Sequence, residues 1–166
     1  WNLVREVEIT GRIRHYKTTV SDAVIHTPAG GDDHLFGGSG DDWINGEGGD
    51  DYIDGGVDND VAFGGEGNDV VKGGSGEDAL SGDELDDAGS PGQGLPGMLH
   101  GYDYIDGGEG NDILAGNGAS DLLLGGAGND ELHGDDVVTP GQYHGKDILD
   151  GGTGNDKLWG GGDDDE

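Results

Sequence analysis

The chain has no cysteine, which excludes a disulfide framework and any thiolate metal site. Basic residues are scarce: 7 Lys and Arg stand against 37 Asp and Glu, a formal net charge of -30. Phosphate binding needs a basic surface, so nucleic acid is excluded as a partner. An anionic membrane surface is disfavoured for the same reason. No apolar run approaches the roughly 18 residues that span a bilayer, so no membrane insertion is expected. The motifs of a nucleophile elbow, a zincin, a phosphate-binding loop and an EF-hand are missing. The expectation is therefore that these residues are not an enzyme. Hydrophobic residues make up only 30% of the 166, close to the composition of a disordered polymer. Self-repulsion would swell a compact state unless cations neutralise it. A small domain without disulfides needs another staple, and bound metal is a common one. The chain opens on Trp1, has no signal-peptide apolar segment and stops inside a repeated pattern at "GGGDDDE". These ends lead to the expectation of a mature product or a fragment of a longer array.

What is abundant is glycine, 40 residues of it, and it is periodic. Written as G-G-x-G-x-D-x-U-x with U apolar, the unit repeats every nine residues. Its sixth-position Asp falls at Asp33, Asp42, Asp51, Asp60, Asp69 and Asp78. After an interruption it resumes at Asp103, Asp112, Asp121 and Asp130, and after a second at Asp147, Asp156 and Asp165, thirteen units in all. The U residues are Leu35, Ile44, Ile53, Ala62, Val71, Leu80, Ile105, Leu114, Leu123, Leu132, Leu149 and Leu158.

Three residues, x-U-x, make a short strand that sends one side chain inward. The six before them must turn, and Gly supplies the positive φ that such a turn visits. A strand and a turn form half a coil, so two units close a coil. Coils stack into a right-handed parallel solenoid with strands about 4.8 Å apart. The expected fold is all-β, a right-handed parallel β-roll. Turns pile into two columns, Asp above Asp, with main-chain carbonyls between them. Carboxylates and carbonyls at that density suit a hard cation of adaptable coordination, and Ca2+ fits better than magnesium, which holds its water too firmly.

"GGSGDDWIN" (37–45), "GGEGNDVVK" (64–72), "GGEGNDILA" (107–115), "GGAGNDELH" (125–133) and "GGTGNDKLW" (151–159) match the unit at every defined position. Here the chain resembles the RTX, or hemolysin-type calcium-binding, repeats, over roughly residues 31–166. The resemblance implies a parallel β-roll, calcium held between turns, and secretion from a Gram-negative bacterium through a one-step channel. It also implies that the thirteen Asp residues above bind the ions with their side chains. Turn carbonyls would complete the sites around Gly38, Gly40, Gly49, Gly56, Gly65, Gly67, Gly74, Gly76, Gly108, Gly110, Gly126, Gly128, Gly152 and Gly154. Eleven same-column neighbour pairs exist among thirteen units, which gives about 8–11 ions. The pattern is broken by Glu47 and Asn117 at the second position and by Asp58, Ala119 and Asp163 at the fourth. Sites beside these are expected to be weaker or distorted.

Each interruption begins with Gly-Asp (Gly82-Asp83, Gly134-Asp135) and ends with His-Gly-x-Asp ("HGYD", 100–103; "HGKD", 144–147). Both interrupt an odd-numbered unit. They read as enlarged turns on one edge, with insertions at about 83–100 and 135–144, and the 44-residue step from His100 to His144 hints at a longer period. Two readings stand for them: a binding or assembly surface, or tolerated insertions. Likewise the two histidines are transition-metal ligands or hydrogen-bond within the turn. Residues 1–27 hold four of the seven basic residues, Arg5, Arg12, Arg14 and Lys17, and two strand-like stretches at 7–16 and 20–27. This N-terminal β segment reads as a cap, the tail of a preceding domain, or an arm that docks on a neighbour. Residues 28–166 form the roll.

One buried aliphatic side chain per nine residues does not offset the cost of ordering them. Calcium must supply the difference, so folding and binding become one event. Two functional classes follow. One is a calcium-binding module that folds in extracellular calcium and serves as a structural, secretion-assisting scaffold of an exoprotein or adhesin, alongside its other domains. The other is a self-assembling subunit of a calcium-dependent extracellular filament or surface layer, joined through the N-terminal segment or the long loops.

Overall fold

A computed structural model describes residues 6–10, 13–17, 24–26, 30–83, 101–135 and 144–166. Among them every regular element is a strand. The first sheet runs in the order β1 (Glu6–Thr10), β2 (Ile13–Lys17), β4 (Asp33–Ser39), β6 (Tyr52–Val57), β8 (Val70–Ser75), β10 (Tyr104–Glu109), β12 (Leu122–Ala127), β14 (Ile148–Asp150). The second runs from β3 (Val24–His26) through β5 (Trp43–Asn45), β7 (Val61–Phe63), β9 (Ala79–Ser81), β11 (Ile113–Asn117) and β13 (Glu131–Asp135) to β15 (Lys157–Trp159). Successive strands alternate between the sheets from β3 onward, which is the two-units-per-coil architecture of a parallel β-roll.

The register is set by the U residues. Leu35 pairs with Ile53, Ile53 with Val71, Val71 with Ile105, Ile105 with Leu123 and Leu123 with Leu149. In the second sheet Ile25, Ile44, Ala62, Leu80, Leu114, Leu132 and Leu158 pair in the same way. A one-residue slip would turn the column outward. Eleven of these side chains form one hydrophobic core among the described residues, with Leu149 packed against it.

Most strands of the first sheet are longer than the expected three residues. β6, β8, β10 and β12 have six each, and their pairing continues through the glycines, Gly56 on Gly74 and Gly108 on Gly126. Two main chains approach closely there. A Cβ on Gly74 would overlap the carbonyl of Gly56, so the ladder extends only because that position carries no side chain.

The N-terminal strands join the same sheets. β2 is parallel to β4 and β3 is parallel to β5, while β1 closes on β2 as an antiparallel pair. Ile25 is completely buried under Ile44. The connections from β9 to β10 and from β13 to β14 both run from the second sheet to the first, so the two enlarged turns share one edge. Residues 84–100 and 136–143 within them, His100 included, lie outside the described residues, as do Arg5 and Arg12.

Among the described residues, the non-glycine residues with positive φ are the departures named above: Glu47 (73°), Asp58 (77°), Asn117 (83°), Ala119 (68°) and Asp163 (60°). The turn geometry is thus kept at the cost of backbone strain at these positions. For Ala the left-handed conformation costs about 1–2 kcal/mol, partly offset by the lower chain entropy of Ala in the unfolded state. Ala119→Gly is expected to stabilise the calcium-loaded roll by roughly 0.5–1 kcal/mol in a denaturant titration. A loss of stability would show that the Ala119 methyl contributes packing that outweighs its strain.

Candidate metal sites

The sixth-position Asp follows the turn and precedes the strand, so its side chain points back under its own turn. Eleven of the thirteen are buried, from Asp33 at 0% to Asp103 at 4% exposure; Asp156 and Asp165, in the last coil, are partly exposed. Two columns result. Asp33, Asp51, Asp69, Asp103, Asp121, Asp147 and Asp165 line the edge with the insertions. Asp42, Asp60, Asp78, Asp112, Asp130 and Asp156 line the other.

Within a column the carboxylates are not left to repel at random. The Asp33 main-chain N–H donates to Asp51 Oδ1, Asp51 to Asp69, Asp69 to Asp103, Asp103 to Asp121, Asp121 to Asp147 and Asp147 to Asp165, at 2.7–3.1 Å. The other column repeats this from Asp42 to Asp60, Asp78, Asp112, Asp130 and Asp156 at 2.8–3.0 Å. One oxygen of each carboxylate from Asp51 onward is therefore committed to the neighbouring coil. The other, Oδ2, of Asp60, Asp69, Asp78, Asp112, Asp121, Asp130 and Asp147 is buried without a hydrogen-bond partner. A buried ionised oxygen in that state is costly unless a cation meets it.

The glycines show what those oxygens face. A Cβ on Gly107 would lie 2.5 Å from Asp112 Oδ2 and 2.6 Å from the carbonyl oxygen of Gly125, one coil on. On Gly125 it would lie 2.6 Å from Asp130 Oδ2 and 2.8 Å from the Gly151 carbonyl. Gly55, Gly64, Gly73, Gly116 and Gly134 repeat the arrangement. A carboxylate oxygen of one turn and a main-chain carbonyl of the next thus converge on the first glycine of these units. Among the described residues no three His, Asp or Glu side chains gather as a metal site. The donors that do converge, a carboxylate and a main-chain carbonyl, are of the kind that suits a hard cation.

The second- and fourth-position glycines expected to contribute carbonyls all have positive φ: Gly38, Gly40, Gly49, Gly56, Gly65, Gly67, Gly74, Gly76, Gly108, Gly110, Gly126, Gly128, Gly152 and Gly154. Their carbonyls face the next coil, as Gly38 O faces Gly56 and Gly49 O faces Gly67. The first-position carbonyls were not anticipated. A signal for them existed: the first position is Gly in every unit from Gly37 to Gly160, while the second and fourth positions vary. None of these first-position glycines has positive φ. They are needed because any side chain would fill the space between the two oxygens.

Without a cation the columns resist ionisation. Burial pushes the Asp69 and Asp121 carboxyls up to about 9, opposed by the main-chain hydrogen bond each accepts and reinforced by the like charges along the column. Burial likewise raises Asp60 to about 7 and Asp112 and Asp147 to about 6. Asp78 and Asp130 move the same way, again chiefly by burial.

The fold and its two carboxylate–carbonyl columns define a calcium-binding parallel β-roll. A family model described as "RTX calcium-binding nonapeptide repeat (4 copies)" matches residues 29–62, 54–88, 101–123, 106–137 and 145–166. The chain therefore belongs to the RTX calcium-binding repeat family, and it binds multiple calcium ions through these repeats. No curated protein and no solved structure matched the chain in comparison.

Two outcomes test the cages. Gly107→Ala is expected to raise the calcium concentration needed for folding, read by far-UV circular dichroism during a calcium titration, because the methyl would occupy the space between Asp112 and Gly125. An unchanged midpoint would mean the ion sits elsewhere. The second concerns pH. Carboxyls raised in the folded state from an ordinary value of 3.8 stabilise the metal-free fold below that value. The stabilisation is lost as pH rises through about 6 to 9. In chelator, compactness measured by small-angle scattering should therefore increase on acidification from pH 9 to 4. In calcium it should decrease over the same range, since protons then compete with the ion.

Proposed function

We propose that this chain is a calcium-triggered folding module of a secreted protein. The sixth-position carboxylates from Asp33 to Asp165 hold the ions together with turn carbonyls. The observation that carries the reading is the row of buried Asp Oδ2 atoms without hydrogen-bond partners, each converging with a carbonyl of the next coil. A fold with eleven buried carboxylate side chains among the thirteen repeats is poorly populated until cations enter. Binding and folding are then one equilibrium. Ten ions would offset about 20 of the 30 negative charges, which removes most of the self-repulsion.

The consequence is a chain whose state reports its compartment. Extracellular calcium modules bind at about 10⁻⁴–10⁻³ M, far above cytosolic calcium. Inside the cell the chain stays an expanded acidic polymer that can be threaded through an export channel, and outside it folds. RTX repeats typically occur in secreted proteins, and no helix among the described residues is long and apolar enough to cross a membrane. The role is structural rather than catalytic. In this reading the N-terminal strands act as a cap, since an antiparallel pair at the end of the first sheet interrupts the parallel stacking that would otherwise continue.

Sedimentation velocity in chelator and then in excess calcium tests the proposal. A slow, expanded species that becomes a compact monomer is the expected result. Conversion to very large species would favour the self-assembling subunit of a filament or surface layer. No change on adding calcium would overturn the folding-switch reading.

A further inference from the structure

The two edges of the roll are not equivalent. On the edge without insertions, the second position of the unit is glycine throughout: Gly38, Gly56, Gly74, Gly108, Gly126 and Gly152. On the insertion edge the same position, from the Asp51 unit on, is Glu47, Gly65, Asp83, Asn117, Asp135 and Gly161, so it is polar in four of six units. Asp83 and Asp135 are the first residues of the two insertions, and they are buried, at 1% and 6% exposure.

Each lies one residue from a calcium cage. The carbonyl of Gly82, which precedes Asp83, converges with Asp69 Oδ2 on Gly64. The carbonyl of Gly134, which precedes Asp135, converges with Asp121 Oδ2 on Gly116. Asp69 and Asp121 are themselves at most 3% exposed, and their Oδ2 atoms lack a hydrogen-bond partner. Asp135 is held in place. Gly162 N–H donates to its Oδ2 at 2.9 Å, Gly145 N–H donates to its Oδ1 at 3.4 Å, and His144 Nδ1 stands 3.6 Å from Oδ2. Asn117 pairs with Asp135 in the ladder and donates to Ser81 Oγ at 2.7 Å. A neutral amide thus lies in the column between the two carboxylates.

We infer that the calcium sites fall into two classes, and that the insertion edge, where Asp83 and Asp135 set a buried carboxylate beside the cages of Asp69 and Asp121, holds the ion more tightly. The inference rests on the calcium reading above and extends it to the order of filling. The charge around a site tunes its calcium affinity. A carboxylate acts on a dication at short range in a low dielectric even where it does not ligate it. The same buried charge makes the metal-free turn less favourable. The insertion edge is therefore both the more dependent on calcium and the first to fill. The insertions begin at the turns that calcium organises first.

Isothermal titration of the metal-stripped full chain with calcium chloride tests this. The wild type should show two classes of site. Asp83→Asn combined with Asp135→Asn keeps the shape and the acceptor oxygen, and should weaken the tighter class roughly tenfold while sparing the other. Asp112→Asn, on the opposite edge, should weaken the other class and spare the tighter one. A single class in the wild type, or a double variant with unchanged midpoints while Asp112→Asn shifts its own, would overturn the inference and leave the calcium reading standing. A wild type with neither binding heat nor compaction would instead overturn the calcium reading. If the double variant stays expanded in saturating calcium, Asp83→Asn alone decides: a weaker tight class supports the inference, and an unchanged one overturns it.

Discussion

Everything in this roll depends on stacking like charges at the spacing of a β-sheet. Coils separated by one strand spacing put the carboxylate of one turn beside the carboxylate of the next. The chain accepts this because each carboxylate is split between two tasks. Oδ1 takes a main-chain N–H from the preceding coil, which ties neighbouring turns together at 2.7–3.1 Å. Oδ2 is kept dry beside a carbonyl, a state that is costly for an ionised oxygen unless a cation meets it. Removing the cation leaves the column either desolvated anions or protonated carboxyls, and the raised Asp69 and Asp121 carboxyls show that burial favours the proton.

A second ladder outside the first runs in the opposite sense. At the fifth position, Asp50 N–H donates to Asp32 Oδ1, Asn59 N–H to Asp41 Oδ1, Asn68 N–H to Asp50 Oδ1 and Asn129 N–H to Asn111 Oδ1. Here the later coil donates to the earlier one, whereas at the sixth position the earlier donates to the later. Each pair of turns is thus bridged from both sides, by an exposed row and a buried row. The exposed row is rich in Asn and needs no metal. It ties the turns by hydrogen bonds alone, while the buried row also turns carboxylate oxygens towards the carbonyls of the next coil. Coupling of this kind is between nearest neighbours, so stability grows coil by coil.

Much of this was legible in the sequence because the period places each residue in one role. The thirteen Asp positions, the U column from Leu35 to Leu158 and the shared edge of the two interruptions all follow from counting by nine. The positive φ at Glu47, Asp58, Asn117, Ala119 and Asp163 shows that the turn overrides local preference, so the departures keep the path of the turn. What counting could not reach is contact between coils. The first-position glycines look interchangeable with their neighbours until a Cβ is seen to fill the gap between a carboxylate and a carbonyl. The coil built from β2 and β3 carries no glycine signature, and only pairing with β4 and β5 shows that it joins both sheets. Asp83 and Asp135 read as loop residues, since their burial depends on coils that lie far along the chain.

The interruptions show how little the ladder depends on chain connectivity. Asp51 and Asp69 are 18 residues apart, and the bond from Asp51 N–H to Asp69 Oδ1 is 2.8 Å. Asp69 and Asp103 are 34 residues apart across the first interruption, and the corresponding bond is also 2.8 Å. Across the second, Asp121 and Asp147 are 26 apart with a bond of 2.9 Å. The added loop-closure entropy of such insertions grows only slowly with length. The pairing of turns is set by the stacked carboxylates and carbonyls at each end of the excursion. A scaffold of this kind can carry long segments on one edge without loss of register, provided each excursion leaves after a first-position glycine and returns before a sixth-position Asp. That rule holds at Gly82 and Asp103 and again at Gly134 and Asp147.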